Sequence, residues 1–144
     1  MLDKEQIKNK FYLLEEFILE ELRKDNKVKM NKFNQNVLIH GHCHQKSQDR
    51  IKGLKNLLSE LNIKNEMIDS SCCGMAGSFG YDNKNYDISK KMANLSLIPA
   101  INNSDEKDYI VANGTSCRHQ ISDLSDKKGK HVSELLFQIF ETVN

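Results

Sequence analysis

The chain has 144 residues, which is enough to bury one hydrophobic core but not two. Its 38% hydrophobic and 28% charged residues are typical of a soluble globular protein, and no apolar run approaches the roughly 18–20 residues of a membrane span. A net charge of +1 gives no electrostatic footprint for nucleic acid. These values exclude a self-contained flavin or nicotinamide enzyme with its own substrate domain, which needs a longer chain.

The amino-terminal part of the sequence predicts an amphipathic helix over the first 24 residues and a polar linker at 25–35. Apolar residues recur through the helix at helical spacing: Phe11, Leu14, Ile18 and Leu22. We expect residues 1–35 to form a helix and linker that dock on a domain at 36–144. The opening MLDKEQIKNK lacks the apolar region of a secretory signal, so we expect a cytoplasmic protein, with a peripheral position at the inner membrane as the alternative.

From residue 36 onward, strand-like and helical segments alternate. Short apolar runs predict strands at 36–40, 65–70 and 108–113, and helical periodicity predicts helices at 49–61, 83–97 and 131–143, with Pro99 ending or restarting the second. This order predicts an α/β fold, a three-layer unit with a small, mostly parallel sheet. Right-handed crossovers place all three strand-to-helix loops at one edge of the sheet, where open α/β folds bind ligands.

Every cysteine lies in one of these three loops. Cys43 follows the first strand in HGHCHQK, Cys72 and Cys73 follow the second in SCCGMAGSFGY, and Cys117 follows the third in GTSCRHQ. The topology therefore predicts four thiols at one edge of the sheet. Adjacent cysteines are poorly spaced for a mutual disulfide, and disulfides are rare in reducing compartments, so metal or redox chemistry is favoured over four scattered core cysteines.

Four thiolates suit either a zinc site or an iron–sulfur cluster. Structural zinc favours C-x₂₋₄-C knuckles, which this sequence lacks, and adjacent cysteines fit a body of several metal atoms better than one small ion. The spacing leaves the cluster type open, with [4Fe–4S] as one candidate. A thiol redox enzyme is disfavoured because no C-x-x-C is present.

Glycines directly after the cysteine pair favour an anionic ligand. Gly74 and Gly77 allow close backbone approach, and the following helix start offers free N–H groups that can stabilise thiolates or cluster sulfides. The alternative is an ordinary glycine turn.

Histidines lie beside two of the cysteines. In an extended segment His42 and His44 share one face and Cys43 points to the other; there they can lower its pKa or hydrogen-bond its sulfur. His119, two residues after Cys117, is a candidate of the same kind. The alternative is that His40 ends the strand and His44 is a solvated loop residue.

The segments HGHCHQK, SSCCGMAGSFGYDNKNYDIS, NGTSCRHQI and HVSELL resemble the cysteine-rich CCG domain. That domain occurs in heterodisulfide reductase B subunits and in iron–sulfur subunits of glycolate and anaerobic glycerol-3-phosphate dehydrogenases. The resemblance runs from about residue 36 to 137. It is strongest toward the carboxy-terminal CCG domain of FAD-linked oxidases of the D-lactate dehydrogenase type.

The resemblance implies an electron-transfer role beside a flavin dehydrogenase. Cys43, Cys72, Cys73 and Cys117 match positions that ligate an iron–sulfur cluster in the family, whereas Gln120 stands where its cluster-binding members have a further cysteine. The implied partners are a flavoprotein dehydrogenase, which carries FAD and the 2-hydroxy acid, and a ferredoxin-like iron–sulfur domain, with the isolated chain inactive. The competing hypothesis is a non-catalytic structural or assembly module whose cysteines bind zinc or no metal.

Overall fold

A central parallel sheet organises the computed structural model, which describes residues 12–24 and 28–140. In that part of the chain the sheet has the strand order β2–β1–β3, with β1 at Val37–His40, β2 at Asn65–Met67 and β3 at Tyr109–Ala112. Both pairings of β1 are parallel. The predicted α/β fold with a small parallel sheet is confirmed, while Phe11 and the end of the closing helix, residues 141–143, lie outside the described residues.

The helices are shorter than the sequence periodicity predicts. In the described ranges they are α1 Leu14–Lys24, α2 Cys43–Ser47, α3 Ile51–Glu60, α4 Tyr86–Asn94, α5 Leu97–Asn102, α6 Thr115–Leu124 and α7 Val132–Ile139. The predicted helix over 83–97 is divided, and Pro99 lies in the first turn of α5, where its missing N–H breaks no intrahelical hydrogen bond. None of these helices combines the length and the apolar character that crossing a membrane requires.

The sheet lies between two layers of helices, because successive strand residues point to opposite faces. One face packs against α1, α3 and α7 through Val37, Ile39, Tyr109 and Val111. The other packs against α4, α5 and α6 through Leu38, Ile110 and Ala112. Burial on both faces explains why β1 and β3 read as continuous apolar runs.

The order of the strands reverses at β1, which creates a crevice at the carboxyl edge of the sheet. α3 connects β1 to β2 on one face, and α4 and α5 connect β2 to β3 on the other. His40 and Ala112, the last residues of β1 and β3, lie opposite each other in the ladder. The loops that follow them therefore flank the crevice where open α/β sheets bind ligands.

The amino-terminal helix packs on the same core as the rest of the described chain. Leu19 of α1 is buried against the layer that contains α3, with Ile18 and Leu22 at its margin. The predicted apolar stripe is wrong at Leu14, which is 41% exposed, whereas its neighbour Glu15 is only 3% exposed.

Distant amide groups explain why a carboxylate is buried in α1. Glu15 Oε1 accepts hydrogen bonds from Gln45 Nε2 at 3.1 Å and from Asn113 Nδ2 at 3.4 Å. Gln45 belongs to α2, after β1, and Asn113 directly follows β3. Glu15 therefore joins the amino-terminal helix to both loops at the carboxyl edge.

Replacing Glu15 with alanine tests this connection. Glu15→Ala leaves the buried amides of Gln45 and Asn113 without their shared acceptor, and we expect a loss of about 1–3 kcal/mol in the free energy of unfolding. Glu20→Ala, at an exposed position of the same helix, should change it by less than about 0.5 kcal/mol. Urea denaturation measures both, and equal values for the two variants would contradict a structural role of Glu15.

Candidate metal centre

Parallel strands deliver the four cysteines to one edge of the sheet. Cys43 begins α2 after β1, Cys72 and Cys73 lie in the loop after β2, and Cys117 lies in the first turn of α6 after β3. All four are free thiols. They form two pairs, an outer pair that is partly exposed (Cys43 and Cys72) and an inner pair that is buried (Cys73 and Cys117).

The extended conformation expected around Cys43 is wrong, because a helix starts there. His42 is the N-cap of α2: its Nδ1 accepts from the His44 N–H at 3.3 Å, and its own N–H donates to Gln45 Oε1 at 3.3 Å. The His42 and His44 rings pack edge to face with centroids 5.3 Å apart. His42 thus caps the helix that presents Cys43, and His44 packs on His42 at the surface.

The outer pair brings two sulfurs into contact distance. Cys43 Sγ and Cys72 Sγ are 3.5 Å apart, and the Gly74 N–H donates to Cys72 Sγ at 3.3 Å. Burial, followed by hydrogen bonding with Cys72, raises the pKa of Cys43, while the Lys46 ammonium opposes this shift. Lys46 also donates to the Ser71 carbonyl at 3.3 Å, which holds α2 against the cysteine loop.

The inner pair shares one proton beside a buried histidine. Cys73 and Cys117 are 3% and 1% exposed, and their sulfurs and a ring nitrogen of His40 all lie within 4.8 Å of one another. The Cys117 thiol, as a hydrogen-bond donor, and the nearby His40 imidazole lower the pKa of Cys73 to about 4 against the effect of burial. The same hydrogen bond raises the pKa of Cys117, so one thiolate and one thiol coexist at neutral pH.

The two pairs lie close enough to act on each other. The negative charges of Cys43 and Cys72 contribute to the raised pKa of Cys117. Cys72 belongs to the outer pair and its neighbour Cys73 to the inner pair, so the adjacent cysteines serve different parts of one cluster of sulfurs. This division suits a centre with several metal atoms, since each cysteine can bind a different atom.

The glycines after the cysteine pair differ in what surrounds them. Gly74 has φ +88° and lies against the Ser89 carbonyl of α4, which a Cβ atom would overlap. Gly77 has φ +69° and open space around the position of a Cβ atom. Gly74 is therefore required by conformation and by close packing, and Gly77 by conformation alone.

Gln120 and His119 both lie on α6 but have different partners. Gln120, one turn after Cys117, is 1% exposed, and its Nε2 donates to the carbonyl of Ser89 at 3.2 Å and to its hydroxyl at 2.9 Å. His119 Nδ1 lies 2.6 Å from the hydroxyl of Tyr81 at the surface. Gln120 thus joins α6 to α4 behind the cysteine loop, and His119 joins α6 to the segment after the glycines.

His40 is the member of the site that sequence reasoning missed. Its position at the end of a strand suggested only a structural role, but the side chain is 1% exposed and lies beside the inner pair. The available signal was its place in the apolar run VLIH of the central strand, since a histidine buried on both faces of a sheet needs specific polar partners.

The four cysteines and their neighbours lie inside a segment that matches a known family. The family model described as "Cysteine-rich domain" (CCG) matches residues 37–122, more than half of the chain. The chain belongs to the CCG cysteine-rich domain family. The resemblance expected from the cysteine motifs is therefore confirmed.

Known proteins that resemble this CCG domain belong to dehydrogenases. It is 25% identical over 99 residues to D-2-hydroxyglutarate dehydrogenase of Pseudomonas putida, which covers 67% of this chain and 10% of that protein. It is 28% identical over 103 residues to a subunit of the anaerobic glycerol-3-phosphate dehydrogenase of Escherichia coli, which covers 71% of this chain and 26% of that subunit. The matched region thus spans from a tenth to about a quarter of these curated relatives. No solved structure gives a significant match.

The contrast between Gly74 and Gly77 gives a matched test of the cysteine loop. We expect Gly77→Ala to cost about 1–2 kcal/mol of unfolding free energy, because alanine disfavours positive φ. Gly74→Ala should cost about 1–3 kcal/mol more, because its Cβ also overlaps the Ser89 carbonyl. Chemical denaturation of the metal-free proteins measures the difference, and equal costs would show that packing on α4 does not require Gly74.

Proposed function

We propose that the chain is an iron–sulfur electron-transfer domain or subunit of an FAD-linked dehydrogenase that oxidises a 2-hydroxy acid. Convergence of the two cysteine pairs on the crevice between β1 and β3 is the observation that carries this proposal. The names of the relatives support the reaction class, since they are dehydrogenases and D-2-hydroxyglutarate is itself a 2-hydroxy acid.

The residues at the carboxyl edge fit a cluster. Cysteine thiolates are the usual ligands of iron–sulfur clusters, and the low pKa of Cys73 keeps one thiolate available at neutral pH. The Gly74 N–H already donates to Cys72 Sγ, and such hydrogen bonds to sulfur tune reduction potentials. Cys43, Cys72, Cys73 and Cys117 would hold the cluster, which when bound supplies one-electron transfer.

The different exposure of the two pairs gives the site a direction. Cys73 and Cys117 are enclosed by the core, whereas Cys43 and Cys72 are partly exposed. Electron exchange with another redox centre is easier on the exposed side, so we place the partner against α2 and the cysteine loop. That partner is a flavoprotein dehydrogenase that carries FAD and the hydroxy acid, or a ferredoxin-like domain between the two, in the cytoplasm.

One observation favours a second candidate function. His40, Cys73 and Cys117 form a compact group of one nitrogen and two sulfur donors, and cysteine–histidine sets of this kind also bind zinc. A structural or assembly module with a single zinc ion is the alternative, and metal analysis separates it from an iron–sulfur domain.

Anaerobic reconstitution of the full chain tests the proposed function. With ferrous iron and sulfide, the wild-type chain should gain iron, acid-labile sulfide and visible absorbance that dithionite bleaches. Cys72→Ser and Cys73→Ser should each abolish the uptake, because each removes one thiolate ligand, whereas Ser71→Ala, next to the pair, should retain it. A wild-type chain that takes up no iron, or that holds one zinc ion through its cysteines in preference to iron, would overturn the proposal.

A further inference from the structure

We propose that His40 is a metal ligand at this site and binds the metal through Nε2 beside Cys73 and Cys117. The inference rests on the proposed function only in requiring that a metal occupies the cysteine site. His40 is the last residue of β1, so the central strand itself would deliver this ligand.

A hydrogen bond orients the His40 ring. Its Nδ1 lies 2.9 Å from the hydroxyl of Ser70, which precedes the cysteine loop and is itself buried. An N–H at Nδ1 that donates to this hydroxyl leaves the lone pair on Nε2. Histidines that bind metals are commonly oriented in this way, because the hydrogen bond of one nitrogen fixes which nitrogen faces the metal.

The other ring nitrogen lacks a partner. Nε2 of His40 is buried and forms no hydrogen bond within the part of the chain that the structure describes. Leaving a buried polar atom unpaired costs free energy, and native proteins seldom do so without a reason. A bond from Nε2 to a metal would remove this cost.

The surrounding donors complete a recognisable ligand set. A ring nitrogen of His40 and the sulfurs of Cys73 and Cys117 lie within 4.8 Å of one another. Metal bonds to nitrogen and sulfur are about 2.0–2.3 Å long, so modest side-chain rotations would bring all three donors to one metal atom. Because Nδ1 is engaged with Ser70, Nε2 is the nitrogen free to bind.

Gln120 makes a nitrogen ligand from elsewhere more valuable. It stands one helical turn after Cys117, but its amide nitrogen is committed to the two Ser89 oxygens. His40 would supply a neutral donor to the buried side of the site. Histidine in place of cysteine raises the reduction potential of iron–sulfur centres, so His40→Cys should lower the potential of the loaded chain.

Cobalt binding tests the ligand without requiring a cluster. The metal-free full chain is titrated anaerobically with Co²⁺, which reports sulfur and nitrogen ligands through its absorption spectrum. His40→Asn keeps a polar group for Ser70 but removes Nε2, and we expect it to weaken Co²⁺ binding by about tenfold or more. His44→Ala, at an exposed position, should stay within about twofold of the wild type. Unchanged affinity in a folded His40→Asn variant would overturn the proposal.

Pulsed electron paramagnetic resonance of the reduced, iron-loaded chain gives an independent test that uses the wild-type fold. With ¹⁵N-labelled histidine, we expect a nitrogen coupling of a directly bound ligand that persists in His44→Ala and disappears in His40→Asn. Iron uptake without this coupling would refute His40 and leave the proposed function intact. Absence of iron uptake, with Co²⁺ binding that depends on His40, would refute the proposed function and support His40.

Discussion

Parallel pairing of β1 with both β2 and β3 fixes where each strand ends, and the position of every cysteine depends on it. The three strands run in the same direction, so the segments that follow them meet at one edge although they are distant in sequence. The pairing also makes the site electrostatically demanding, since grouped thiolates repel one another. A shared proton between Cys73 and Cys117 and an N–H donor from Gly74 reduce that repulsion.

The sequence was sufficient to predict the sheet and the meeting of the cysteines, because apolar runs and alternating elements determine both. It did not predict the helices that begin at Cys43 and Thr115, because these follow strands directly and the first is too short to show periodicity. Histidine is also an uncommon N-cap, so the capping box of His42 had no recognisable signature. The burial of Glu15 depends on amides far along the chain, which no local pattern reveals.

Structural side chains behind the cysteines hold the loops in position. Gln120 and Gly74 both contact Ser89 of α4, one through its amide and the other through close backbone packing. Glu15 supports the opposite side of the edge by binding the segments after β1 and β3. The edge is thus braced from both helical layers, which favours a preorganised set of ligands over one assembled only when a metal arrives.

X-ray absorption at the iron edge of the anaerobically loaded full chain tests the central claim most directly, because it reports the atoms around the metal. If the two cysteine pairs hold a cluster, the spectrum should show a shell of sulfur ligands and a second shell from neighbouring iron atoms. A spectrum without iron–iron scattering, or a chain that contains zinc bound by sulfur and nitrogen and no iron, would contradict the account.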